Sequence, residues 1–175
     1  ESPEQLPRDP GVNYDTIQLR RSVEDSLLRD EIESLERFNL YETSGEGSSS
    51  DVNSFFFFTP LKGIVSAPFD ARKGHHGVDV VAGENEAIKA TLDGTVILAT
   101  WTSETGHVIQ VQHANNLVSI YKHNSVLLKK TNDKVKAGEA IAIIGESGEN
   151  STGPHLHFEL WFNGQPIDPA DYMVF

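Results

Sequence analysis

The chain has 175 residues, room for one sizeable domain and an appendage. Its formal net charge of -12 excludes nucleic acid as the main partner, because phosphate binding needs clustered Lys and Arg, and no stretch is long and apolar enough to span a bilayer. Cysteine is absent, so disulfides and thiolate metal sites are excluded and any metal must be held by imidazole and carboxylate.

The acidity is concentrated at the start of the chain. Residues 1–50 hold 12 Asp or Glu against 5 Lys or Arg, a net of -7, and the remainder holds 14 against 9, a net of -5. Glu1 rather than Met opens the chain, which points to a mature or trimmed product from which any signal peptide or membrane anchor has been removed. Residues 1–15 carry three Pro and read as an irregular leader. Leu19, Val23, Leu27, Leu28, Ile32, Leu35 and Phe38 then recur at three- to five-residue intervals and predict an amphipathic helix over about 16–40. Such a helix serves as a coiled-coil dimer stalk, as a spacer from a membrane, or as a helix packed on the domain. Thr43 to Asn53 has the Ser- and Gly-rich composition of a linker. The division expected is therefore an acidic segment over 1–54 and a folded domain over 55–175. Phe55 to Phe58, ending in Thr59-Pro60, is expected to form a buried opening strand rather than a partner-binding patch.

From Leu61 onward the chain consists of short β-rich runs punctuated by Gly, Pro, Asn and Asp: 94–100, 108–113, 117–123, 140–144 and 155–162. Helical periodicity is nearly absent, so the domain is predicted to be mainly β, an antiparallel sandwich or barrel-like fold.

Two clusters carry chemistry. His155-Leu156-His157-Phe158-Glu159-Leu160 alternates strictly, which places Leu156, Phe158 and Leu160 toward the core and both histidines on the other face. At a rise of ~3.3 Å per residue the two imidazoles start about 7 Å apart, a spacing for one metal ligand beside one acid or base. Ser151-Thr152-Gly153-Pro154 is a turn that sets where this strand begins. In His75-His76-Gly77-Val78-Asp79, an extended backbone puts His75, Gly77 and Asp79 on one face, with no side chain at Gly77 between the two candidate ligands and with His76 pointing away from His75. A histidine and an aspartate here, with one histidine of the later strand, make a three-ligand site of the open, catalytic kind of zinc centre. In Leu117 to His123, alternation sets His123 on the face of Tyr121 and Ser119, opposite Val118 and Ile120, from where it is expected to line the same cleft. His107 and His113 are read as structural histidines.

At these residues the chain resembles the lysostaphin-type zinc metallopeptidases, also called the LytM or M23 peptidases. The resemblance covers about residues 60–172 and rests on His75-x-x-x-Asp79, on Tyr121-Lys122-His123, on the stretch from Val135 to Gly145, and on Gly153-Pro154-His155-Leu156-His157-Phe158-Glu159. It implies one zinc ion on His75, Asp79 and His157, and His155 and His123 as the two catalytic histidines. It also implies an antiparallel β fold of the duplicated hybrid type, a groove for the peptide part of peptidoglycan, and a cell-envelope location that is periplasmic or extracytoplasmic. The activity implied is endopeptidase cleavage of peptidoglycan crosslinks. The alternative is a non-catalytic module that binds peptidoglycan or activates another wall hydrolase, since degenerate relatives act that way; the five-residue set is complete here.

Overall fold

Runs rich in Val and Ile, closed off by Asn, Asp and Gly, dictate short paired strands rather than helices. The computed structural model describes residues 52–148 and 153–175. The helix expected over 16–40, the leader, most of the linker, and Ser151 and Thr152 of the turn lie outside the described residues. The strands are β1 (Ile64–Ala67), β2 (Gly77–Val81), β3 (Ala87–Lys89), β4 (Gly94–Thr102), β5 (Gly106–Gln112), β6 (Leu117–Asn124), β7 (Val126–Leu127), β8 (Lys134–Val135), β9 (Ala140–Ile143), β10 (His155–Phe162) and β11 (Gln165–Ile167). An eight-stranded sheet runs β1-β2-β10-β6-β5-β4-β8, with β11 folded onto β10, and a three-stranded sheet runs β3-β9-β7. All of the strand pairs are antiparallel. The mainly β, antiparallel fold is thus as the sequence predicts.

The turns follow from backbone chemistry. Asn163 and Gly164 join β10 to β11 with φ of 49° and 73°, both positive, as a two-residue type I′ hairpin requires. At Gly106, which opens β5 with φ of 65°, an added Cβ would stand 2.0 Å from Ser147 Oγ, so only glycine lets the segment around Ser147 approach this closely.

One apolar core joins both sheets. Val78, Val80, Leu156, Phe158, Leu160 and Tyr121 from the large sheet pack in the same cluster as Ile88, Ile141 and Ala142 from the small one. Each fully buried side chain of this size stabilises the fold by roughly 1.5–3 kcal/mol before ordering costs are subtracted. Val52, in a 3₁₀ turn over Val52–Ser54, is also buried in this core.

The phenylalanine run departs from the expectation. Phe55 to Phe58 forms no strand, and Phe56 is 97% exposed. Phe55 and Phe57 alone turn inward, Phe57 against Tyr172 with ring centroids 5.5 Å apart. The reason is the lack of a ladder: Phe58 N–H donates to Thr91 O, and Thr59-Pro60 follows, where proline has no N–H to continue pairing.

Candidate functional site

The middle of the large sheet positions the histidines. In β10, Leu156, Phe158 and Leu160 are fully buried, so the strand does present its histidines on the opposite face. His157 pairs in register with Asp79 of β2 on one side and with Lys122 of β6 on the other, and residues directly opposite in antiparallel strands share a face. Gly77 pairs with Glu159, where a Cβ would lie 2.3 Å from Phe158 O and 2.9 Å from Glu159 Cγ. Only glycine fits against that backbone carbonyl.

His75 is delivered by a small loop. Asp70 caps a 3₁₀ turn over Ala71–Lys73 by accepting from Arg72 N, and Gly74 closes it in the left-handed conformation, φ 76°. Asp70 and His75 then bridge through both backbone hydrogen bonds. The His75 ring is held by Nδ1–H donating to Pro68 O at 2.7 Å. Its Nε2 is buried, accepts no hydrogen bond, and lies 3.3 Å from Asp79 Oδ1. His157 Nδ1 is 2.7 Å from the same Asp79 oxygen, and its Nε2 is 2.9 Å from Glu159 Oε1. The ligand atoms of His75, Asp79 and His157 all lie within 4.8 Å of one another. His76, by contrast, packs edge-on against Trp161, ring centroids 5.9 Å apart.

His123 reaches this cluster by a route that strand alternation does not describe. Tyr121 and Ser119 lie on the core face, Tyr121 against Phe158, and strict alternation would send His123 there too. Instead the β5–β6 register slips between His107 and Ile109, and His123 takes a left-handed backbone, φ 65°. Such a bulge re-aims a side chain. The ring consequently stands 4.8 Å from His155 and 6.2 Å from His157, centroid to centroid. The expectation that His123 shares the face of Ser119 and Tyr121 is therefore corrected: it lines the cleft because it leaves that face. The bulge is tied down by His123 N–H to Thr105 O (3.0 Å), and by Asn124 Nδ2 donating to His107 O and Tyr121 O, both at 2.8 Å. His123 Nδ1–H donates to Ser147 O at 2.9 Å, and His155 Nδ1–H donates to Gly153 O at 2.8 Å.

Electrostatics follow the geometry. Burial opposes the charge on Asp79, but its hydrogen bond to His157 and the potentials of His157, His75 and His155 outweigh it and hold the carboxyl below the ordinary range. Burial also opposes protonation of His157, yet hydrogen bonds to Asp79 and Glu159 raise its pKa above the usual value. Glu159, buried beside Lys122 and His157, is driven well below the carboxylate range despite its desolvation. Burial pushes His123 down to about 4 against the opposing hydrogen bond that its Nδ1–H donates to Ser147 O, and His155, His157 and Lys122 add to the downward push.

The donor set suits a divalent cation of zinc's type: two imidazoles, one of them with its buried Nε2 orphaned, and one carboxylate converge at a part-buried place. Sequence reasoning did not assign roles to Glu159, Ser147 or Asn124. Glu159 stood two residues beyond His157 on the same strand face, which was the one available signal; the other two act through backbone contacts that no local pattern announces.

A profile of peptidase family M23 matches residues 73–169. The murein hydrolase activator NlpD of Escherichia coli K12 is 35% identical over 116 residues, 65% of this chain and 30% of that protein. The DD-carboxypeptidase/endopeptidase Mpg of Neisseria meningitidis serogroup B is 33% identical over 114 residues, 61% of this chain and 26% of that protein. A zinc-containing peptidase from Vibrio cholerae has a similar crystal structure, with a TM-score of 0.61 and 26% identity over 69% of this chain and 40% of that one. The chain thus spans less than a third of the length of these two curated relatives.

Proposed function

Because the chain belongs to peptidase family M23, we propose that its β domain, over 55–175, is a zinc-dependent endopeptidase that hydrolyses peptide crosslinks of bacterial peptidoglycan in the cell envelope. His75, Asp79 and His157 are the ligands of one zinc ion, and His123 and His155 are the catalytic histidines. The observation that carries this reading is the convergence of His75, Asp79 and His157 within 4.8 Å, with the His123 ring 4.8 Å from His155 and 6.2 Å from His157, centroid to centroid.

A zinc ion held there would polarise the scissile carbonyl and bring the pKa of a water toward ~7. The chain's own residues handle the proton. His123 and His155 each commit Nδ1–H to a backbone carbonyl, so in the neutral ring Nε2 is the accepting nitrogen. One Nε2 takes the proton of the attacking water and returns it to the leaving amine; the other ring is placed to hydrogen-bond the developing oxyanion.

The name of the Escherichia coli relative gives the second reading, an activator of other wall hydrolases. Such a role requires neither a metal nor the paired histidines. The test is digestion of purified peptidoglycan of several crosslink types by the zinc-loaded protein, with fragments identified by mass. Released crosslink peptides support the endopeptidase. A protein that takes up no zinc and releases nothing, yet stimulates a wall amidase, establishes the activator instead.

A further inference from the structure

Four imidazoles surround the candidate centre, and three are aimed alike. His75, His123 and His155 each place Nδ1 against a backbone carbonyl, at 2.7, 2.9 and 2.8 Å respectively. A carbonyl only accepts, so these rings carry a proton on Nδ1 and present Nε2. His157 is reversed. Its Nδ1 is the nitrogen beside Asp79, and behind its Nε2 stands a side chain, Glu159.

Glu159 is built to be an acceptor and nothing else. It is 5% exposed, takes Lys122 Nζ on Oε1 at 2.6 Å and takes Trp161 Nε1 on Oε2 at 2.7 Å. Lysine and the indole N–H have no lone pair to offer, so every partner around the carboxylate donates. An acceptor-only group facing Nε2 requires a proton on Nε2; Nδ1 also faces a carboxylate, Asp79, so without a metal both nitrogens donate, and Nδ1, beside a candidate ligand, is the one whose proton a cation would replace. The absent side chain at Gly77 leaves room for the Glu159 stem, since a Cβ there would lie 2.9 Å from Glu159 Cγ.

From this arrangement we infer that Glu159 is a positioning residue: clamped by Lys122 and Trp161, it locks the proton of His157 on Nε2 and so makes Nδ1 the metal-binding nitrogen. The inference rests on the reading of His75, Asp79 and His157 as ligands. It goes beyond that reading because it names what selects the ligand atom. Outer partners of metal-bound histidines typically contribute 10- to 100-fold in metal affinity.

Glu159→Gln discriminates well, because an amide must turn its NH₂ either toward Lys122 and His157 or toward Trp161, all of them donors. The measurement is zinc affinity by competition with a chromogenic chelator, with folding followed by circular dichroism, for the wild type, Glu159→Gln and the double variant E159Q/W161F. The expected result is a 10- to 100-fold loss of affinity in the single variant. The double variant recovers part of that loss, because removing the indole N–H frees one side for the amide NH₂. A purely packing role would make the double variant worse, and that outcome overturns the inference, as does an affinity within about twofold of wild type in a folded single variant. Nitrogen-15 NMR of the zinc-loaded wild type gives the same answer without any variant: a proton on His157 Nε2 supports the clamp, and a proton on Nδ1 sinks it. A wild type that binds no zinc at all would instead strike the ligand assignment itself, which separates the two failures.

Discussion

Two histidine-centred clusters hang on β5, β6 and β10, and they treat their hydrogen bonds in opposite ways. Around His113, every partner is internal: Nδ1 meets Asp93 O at 2.9 Å, Nε2 meets Ser119 Oγ at 2.7 Å, Ser119 continues to Tyr121 Oη at 2.9 Å, and that hydroxyl accepts from Thr91 N at 3.0 Å. The chain of bonds ends where it began, in the backbone. Around His157, two carboxylates and four imidazoles crowd together and His75 Nε2 is left buried without a hydrogen bond. Buried polar groups that close on themselves stabilise a fold, whereas groups that converge and remain unmatched mark a place prepared for something else. Burial shifts histidines downward in both regions, to about 4 at His113 and at His123, so a depressed pKa by itself does not distinguish them.

The comparison is broken most severely by removing the convergent groups. Asp79→Ala or His157→Ala is expected to take bound zinc from about one ion per chain to near zero, measured by metal analysis after dialysis. His123→Ala or His155→Ala is expected to keep the metal and to lose roughly 10²- to 10⁴-fold in turnover on peptidoglycan. Equal metal loss in all four variants would contradict the division of roles. His113→Ala supplies the contrast: less folded protein, but unchanged turnover per folded, zinc-loaded molecule.

The acid response sharpens the same contrast. His113 is 5% exposed, and desolvation lowers its pKa from 6.5 to about 4. Above pH 6.5 the ring is neutral in both folded and unfolded chains and contributes no pH dependence. Below it the unfolded chain takes up the proton first, so stability is lost as pH falls from about 6.5 to about 4, by about 3 kcal/mol in all. Urea unfolding at pH 7 and pH 5 should therefore show a smaller difference in His113→Asn than in the wild type; an identical difference would mean that this ring is not the sensor. A smaller effect is expected at the bulge. Asn124→Ala removes the side-chain hydrogen bonds to the carbonyls of His107 and Tyr121 and should cost about 2 kcal/mol. Because the same bonds hold the backbone at His123, turnover should fall while zinc content stays near one.

Local patterns made much of this legible. The alternation in 155–160 places three apolar residues inward and two histidines outward, because side chains of a strand take turns between its faces. Glycine at 77 reads as a place with no side chain between two ligand-type residues, and the structure adds that a Cβ there would meet Phe158 O and Glu159 Cγ. The phenylalanine run shows the converse: its composition suits a buried strand, but no neighbouring strand pairs with it, and Phe56 is left in solvent. His123 is the more instructive miss. Counting by twos sends it to the core face, and a single left-handed residue, stabilised by contacts with Thr105, Asn124 and Ser147, returns it to the histidine cluster.

The sequence by itself determined which residue types are present, the strand faces of β2 and β10, and the absence of thiolate ligands, since all three depend on neighbours a few positions apart. Only the tertiary structure decided that β2 lies beside β10 with Asp79 opposite His157, that the bulge turns His123 around, and that Glu159 stands behind His157 rather than in solvent. Those outcomes depend on strand register and on hydrogen bonds between segments up to 78 residues apart. No local periodicity encodes such distances, because register is settled by the packing of whole strands.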